Sequence, residues 1–326
     1  MTKETASNPQ TIEVYISNLS LPLGLLALGN VHDHADYLQA INADGEEITP
    51  TNGSPMMNQV YQRGLEYSAL PCDQDGADQS RLGAEVLIPP VFTDKPSLDA
   101  TIRQVVRSGH QSFRNVTFDN GLLARTVPKW PASMKRLEII QQITGPFPIV
   151  VYPYFSKHGD SSPGRKTIQP KAHEWQKMGI HEDSPISEIE AALRRIGVQG
   201  FTFDVFHAQA SMNEVSFQDP VALAGRLAAA GLVHSAHLAL GRLDMTGFSS
   251  FASKSTLLAR AAFKRSSAQA ARTFEGAMLQ ALAPGLHTLP SSIKPFVVLE
   301  DGPIRMPVHD TRNHAAIIET TRSLIR

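Results

Sequence analysis

Short runs rich in β-branched and aromatic residues recur along the chain. Each ends in polar, Gly or Pro residues, and stretches with apolar residues at helical spacing follow. The clearest runs are Glu13–Leu19 (EVYISNL), Ala84–Pro89 (AEVLIP), Ser112–Phe118 (SFRNVTF), Pro148–Tyr152 (PIVVY), Gly200–Phe206 (GFTFDVF), Leu232–Leu240 (LVHSAHLAL) and Pro295–Leu299 (PFVVL). Glu46–Pro50 (EEITP) carries a shorter version of the pattern as an eighth, and Gly64–Leu70 a fainter ninth. Helices are predicted over Ser184–Ile196, Asp219–Ala230, Ser253–Leu282 and Asp310–Ile325. Ser184 reads as an N-cap, with Pro185 in the first helical position and Gly197 as the stop. Asp219, Pro220 and Gly231 repeat that arrangement.

The runs VVLE, PIVVY and VLIP are continuously apolar, as in strands covered on both faces. Strand–helix alternation kept up to the last residues implies a parallel sheet. Eight such units in one chain favour closure, so the expected fold is α/β, a single (β/α)8 TIM barrel spanning residues 1–326 as one domain. No G-x-G-x-x-G follows an early strand and no G-x-x-x-x-G-K-[ST] occurs, which removes the main support for a nucleotide-binding sheet. No motif repeats at a fixed period, so solenoids and propellers are excluded. Ser156–Lys171 reads as a long loop after a strand.

Composition narrows the setting. Hydrophobic residues at 42% with 19% charged describe a chain that buries a large core. Its single cysteine, Cys72, excludes an internal disulfide framework and most cysteine-based metal sites. A net charge of −1 gives no whole-chain field to attract nucleic acid or an anionic membrane. Met1–Gln10 lacks the basic-then-apolar order of a secretory signal. The most apolar early stretch, Leu19–Gly29, is about eleven residues, short of the ~20 needed to span a bilayer. A cytoplasmic protein with a small-molecule partner is expected, with homo-oligomerisation left open.

In a barrel of this kind the functional face is the C-terminal end of the strands, and three predicted strands carry ionisable groups there. Asp204 interrupts an apolar strand and His207 follows at its exit. His234 and His237 lie within one strand, and Glu300-Asp301 comes directly after Phe296–Leu299. A carboxylate in a barrel mouth is costly unless it is paired, hydrogen-bonded or bound to a metal. Asp, His and Glu together offer ligands suited to Mn²⁺, Mg²⁺, Co²⁺ or Zn²⁺. Either histidine alone reads more simply as a hydrogen-bonded structural residue, and Asp204 alone as a turn cap.

GFTFDVFHAQ resembles the sixth-strand signature of the xylose isomerase-like TIM barrels, the sugar phosphate isomerase/epimerase superfamily. It is particularly similar to the D-T-F-H stretch of the ketohexose 3-epimerases, with Val205 in place of Thr. LVHSAHLAL is similar to that group's seventh strand and FVVLEDGP to its eighth, so the likeness covers about Gly197–Pro303. The resemblance implies a divalent-metal-dependent isomerase or epimerase acting on a sugar, sugar phosphate or related polyhydroxy compound. It implies Asp204, His237 and Glu300 as metal ligands, Glu300 as a proton-transfer group, His207 at the substrate or the metal's water, and Arg242 as a substrate-orienting cation.

One departure matters. The family pattern ends its fifth strand in a glutamate that is both ligand and base. Here the segment reads FPIVVYPYF, with Tyr152 or Tyr154 at that place and His158 and Asp160 as the nearest titratable groups beyond. Tyr154 is therefore a substrate-contact candidate, and Asp119 a further acid at another strand end. The missing glutamate favours, as an alternative, a non-catalytic or repurposed barrel.

Other signals divide between functional and plain readings. Gly241–Ser253 leads into a helix and suits a phosphate-binding loop or an ordinary βα loop. Lys254, Arg260, Lys264, Arg265 and Arg272 form a basic helix face. That face suits a metal-dependent endonuclease-like phosphodiesterase, but the histidines and carboxylates of a metal cluster are too few for one. His32-Asp33-His34 is a ligand-like triplet at a helix start, where Asp33 reads equally as an N-cap. Arg305 is placed to reach an anionic group or a surface acid. Trp130 and Trp175 read as packing residues. No G-x-S-x-G or H-E-x-x-H occurs.

Overall fold

Strand β1 (Glu13–Ser17) leads to helix α1 (Val31–Ala40) and strand β2 (Gly45–Ile48). Strands β3 (Gly83–Ile88), β4 (Phe113–Phe118) and β5 (Ile149–Val151) follow. Helix α2 (Ile186–Ile196), strand β6 (Gly200–Asp204), helix α3 (Pro220–Ala229), strand β7 (Val233–Ala239), helix α4 (Phe274–His287), strand β8 (Phe296–Glu300) and helix α5 (Thr311–Ile325) complete the order. The structure, a computed structural model, describes residues 9–17, 31–48, 83–88, 113–118, 149–151, 175–176, 178–205, 220–239, 274–300 and 311–326. The predicted ninth strand and the loop at Ser156–Lys171 lie outside these residues.

The chain is α/β with a parallel sheet. The described strands pair in chain order, each with the next in parallel, and β8 pairs back onto β1, so the ladder closes into a barrel. Among the described residues, helices follow β1, β5, β6, β7 and β8. The connections from β2 to β3, β3 to β4 and β4 to β5 lie outside them.

Three of the helix-to-strand turns are built alike. Gly197 ends α2 in the left-handed region (φ 74°), donating its N–H to Arg194 O while Val198 N–H reaches Leu193 O. Asn42 (φ 60°) after α1 and Gly231 (φ 71°) after α3 close their helices in the same way, and a strand begins two or three residues later. Ile189, Ala192 and Leu193 share the buried face of α2, while Glu188, Arg194 and Arg195 lie outside it.

Several expectations change in detail. Ser184 does not cap α2: its hydroxyl accepts the His181 N–H at 2.9 Å within the preceding turn, and Pro185 occupies the cap without a side-chain bond. Helix α4 runs past the expected stop at Leu282 to His287, through Pro284, and Thr288 Oγ1 satisfies the Gly285 carbonyl at its end. Asp33 is the third residue of α1, not its cap. Strand β6 ends at Asp204, two residues before the predicted Phe206. Trp175 is buried and meets Phe201 edge-on, with centroids 5.8 Å apart, so its packing role holds.

Candidate functional site

Strands β2 and β7 are not neighbours in the barrel; β1 and β8 stand between them. Even so, His237 Nε2 of β7 lies 3.3 Å from Glu47 Oε2 of β2, and neither side chain has any solvent exposure. A contact between non-adjacent strands crosses the barrel interior, so both side chains point inward. Strand alternation then sets the inward row of each neighbour. Ser235 shares the face of His237, and the register partners Thr202 and Asp204 of β6 share it too. Thr202 Oγ1 and Ser235 Oγ hydrogen-bond at 2.8 Å, which confirms that the two strands present these residues to one side.

Strand β8 contributes Phe296 and Val298 to the same interior, the latter level with both His237 and Tyr15. Tyr15 and Phe296 stack at 4.7 Å and form with Val298 an apolar plug. The polar residues sit toward the strand ends. Asp204 is the last residue of β6 and is 3% exposed, while Glu47 is level with Ser17, the last residue of β1. Glu47, Asp204 and His237 thus lie toward the C-terminal ends of their strands, and one layer below them Thr202 and Ser235 stand level with Phe296.

Asp204 and His237 are register partners on adjacent strands. Glu300 is the last residue of β8 and pairs with Ala239, two positions past His237, which puts its backbone on the same rim; its side chain lies outside the described set. His207, Arg242 and Tyr154 lie outside the described residues, as do His158, Asp160, Asp119, Arg305 and the basic segment 254–272. The side chains of the His32-Asp33-His34 triplet do too. Strand β5 is Ile149–Val151 and contains no acid. Among the described residues, no three His, Cys, Asp or Glu side chains draw together as a metal-binding group. Likewise, no described helix is long and apolar enough to cross a membrane.

Sequence reasoning missed Glu47. EEITP read only as a short strand, yet both Glu46 and Glu47 are fully buried. The available signal was two adjacent carboxylates inside a strand: alternation turns one of any such pair toward the barrel axis.

His234 has a different role. It falls where the β6–β7 register shifts between Phe201 and Thr202, and it is 2% exposed. A Cβ on Gly200 would stand 2.7 Å from its Nε2 and 2.7 Å from the Leu232 carbonyl, so a residue without a side chain is required beneath the ring. Burial without a partner for Nδ1 pushes the imidazole down from 6.5 to about 4, leaving it neutral. His234 is thus a structural histidine, and His237, three residues later, faces the site.

Neither the scan of family models nor the search of curated proteins returns a match for this chain.

Proposed function

We propose that the chain is a single (β/α)8 barrel of the xylose isomerase-like kind. In this reading it is a divalent-metal-dependent isomerase or epimerase of a small polyhydroxy compound. The observation that carries the reading is the buried polar set on the inner face of β2, β6 and β7. Glu47, Asp204 and His237 are buried together toward one end of the strands, with His237 Nε2 3.3 Å from Glu47 Oε2. Ionisable groups gathered in the interior at the strand ends support the reading of a functional site.

The donor chemistry fits a divalent ion. Carboxylate oxygens and an imidazole nitrogen suit Mn²⁺, Mg²⁺, Co²⁺ or Zn²⁺, and Asp204 and His237 are register partners on adjacent strands. Asp204, His237 and Glu300 would hold the ion, which when bound supplies charge to polarise a substrate carbonyl. Glu300 takes the proton from the carbon beside that carbonyl. A proton supplied to the opposite face of the same carbon by a protonated His207 would give the epimer, and the proton handed back by Glu300 to the neighbouring carbon would give the isomer. His207 and Tyr154 serve the substrate hydroxyls and Arg242 orients its polar end.

The acid-free exit of β5 favours a second reading, a barrel of this kind that binds without catalysing. Metal content and solvent-proton exchange separate the two. Chelator-free protein is expected to carry stoichiometric divalent metal, to gain thermal stability with Mn²⁺, and to wash deuterium from D₂O into a ketose or aldose. Glu300→Gln is expected to abolish the exchange while metal binding weakens. Protein with no metal and no Mn²⁺-dependent stabilisation would sink both the enzyme reading and its ligand set. Metal without exchange across a ketose and aldose panel selects the binding reading.

A further inference from the structure

We propose that Glu47 is a positioning residue for His237. Its carboxylate sets the direction of the imidazole and holds the ring proton on Nε2, so that Nδ1 is the nitrogen with a lone pair to offer. The inference deepens the reading of β2, β6 and β7 as the functional site and rests on it.

The first observation is which atoms meet. His237 Nε2 lies 3.3 Å from Glu47 Oε2, and both side chains have zero exposure. A carboxylate oxygen at that distance repels a nitrogen lone pair and attracts an N–H. With no water between the charges and bulk solvent excluded, that preference acts at a low effective dielectric. Of the two tautomers of a neutral imidazole, it favours the one protonated at Nε2.

The second is where Glu47 comes from. Asp204, the register partner of His237, stands on the adjacent strand β6. Glu47 belongs to β2, with β8 and β1 in between. A contact that spans the interior restrains the ring along a direction that neighbours in its own ladder do not supply. Both residues have further interactions within the protein, so the role of Glu47 is to direct the ring rather than to be its sole partner.

The third is a contrast within β7. His234 and His237 lie three residues apart on one strand, and both are buried. His234 is packed over Gly200, where a side chain would leave no room for its ring. His237 is met by a carboxylate from across the barrel. Groups that serve a site are held by supporting side chains in this way, whereas a structural residue needs only its packing.

Nitrogen-isotope labelling of the histidines in the full chain, read by NMR in chelator-treated protein without substrate, tests the proposal. His237→Asn and His234→Leu assign the two sets of ring signals by their loss. Wild-type protein is expected to carry the His237 proton on Nε2 with Nδ1 bare. Glu47→Leu removes both charge and acceptor. It is expected to shift the His237 ring signals and to leave those of His234, on the same strand, in place. Should the leucine variant fail to fold, Glu47→Gln keeps the shape and removes the charge, and a smaller shift of the same signals is expected. A proton on Nδ1 in wild type, alone or together with Nε2, overturns the proposal. Unchanged His237 signals in the folded variant overturn it too, as does an equal shift of both histidines, which reports a repacked strand. Wild-type protein that binds no Mn²⁺ overturns the metal-dependent reading alone, because the tautomer and its response to Glu47 are read without metal or turnover.

Discussion

At the scale of single residues, position within an apolar strand decides which ionisable groups are readable. Asp204 and His237 stand out in the sequence because each interrupts a run that is otherwise buried, and both prove to be inside the barrel. Glu47 does not stand out, because EEITP is short and an acidic pair at its start looks like an exposed edge. Its inward direction depends on the pairing of β2 with β1 and with β3, which no local pattern encodes. His234 separates from His237 only through the register shift beside it. That difference has a measurable consequence. The folded His234 imidazole is held down at about 4 by burial, while an unfolded histidine titrates near 6.5. As pH falls below 6.5 the unfolded chain takes up the proton first, so stability drops progressively and the loss is complete near pH 4. The full loss is about 3 kcal/mol. His234→Leu leaves no unmet donor and removes this titration. Its urea midpoint is expected to fall less than wild type between pH 7 and pH 4.5. Parallel declines in the two proteins would show that the acid sensitivity lies elsewhere.

At the scale of elements, the alternation of strands and helices is legible because each element is bounded by residues with one dominant conformation. Gly197 and Gly231 are such residues, and the helices end at them as expected. The errors come where tertiary packing overrides a local rule. Ser184 has the sequence of an N-cap, but a competing N–H from His181 is closer at hand. Pro284 should end α4, yet the helix continues for another turn because that turn packs on α3. The approach there is close. A Cβ on Gly285 would overlap the carbonyl and Cβ of Ala228, and Gly225 faces Ala281 farther along. Gly285→Ala therefore sets two effects against each other. Helix propensity favours alanine by about 1 kcal/mol. Overpacking against a backbone carbonyl costs about 1–3 kcal/mol, since the backbone cannot rotate away as a side chain can. The clash is expected to win, lowering stability by about 1–2 kcal/mol, and Gly285→Val by more. Thermal and urea unfolding of the two variants check the order. A stabilised alanine variant would mean that the helices separate without penalty.

At the scale of the whole molecule, the seam between the first and last strands is where a barrel either closes or stays open, and no periodicity in the sequence marks it. The chain secures this seam with groups remote from one another in sequence. The Gln10 amide nitrogen donates to the Pro290 carbonyl at 2.7 Å, and Glu13 N–H donates to Pro295 O at 3.0 Å. Asp44 accepts the Val14 N–H through one oxygen and pairs with Arg322 of α5 through the other, both at 2.8 Å. His287 is the junction of the set: Nδ1 lies 2.6 Å from the Gln10 carbonyl and Nε2 2.7 Å from the Ile325 carbonyl. One imidazole thus ties the approach to β1, the end of α4 and the end of α5. Phenylalanine fills the same space with no donor, which leaves the two carbonyls facing an apolar edge at a cost of about 1–3 kcal/mol. His287→Phe is expected to lower the urea midpoint accordingly. It should also speed amide exchange along Glu13–Ser17 and Phe296–Glu300 more than along Gly200–Asp204, because loosening begins at the seam and reaches β6 last. Uniform acceleration in all three strands would show that closure is maintained cooperatively around the ring, with no special weight on this joint. Faster exchange confined to α5 would show that the imidazole anchors the last helix alone.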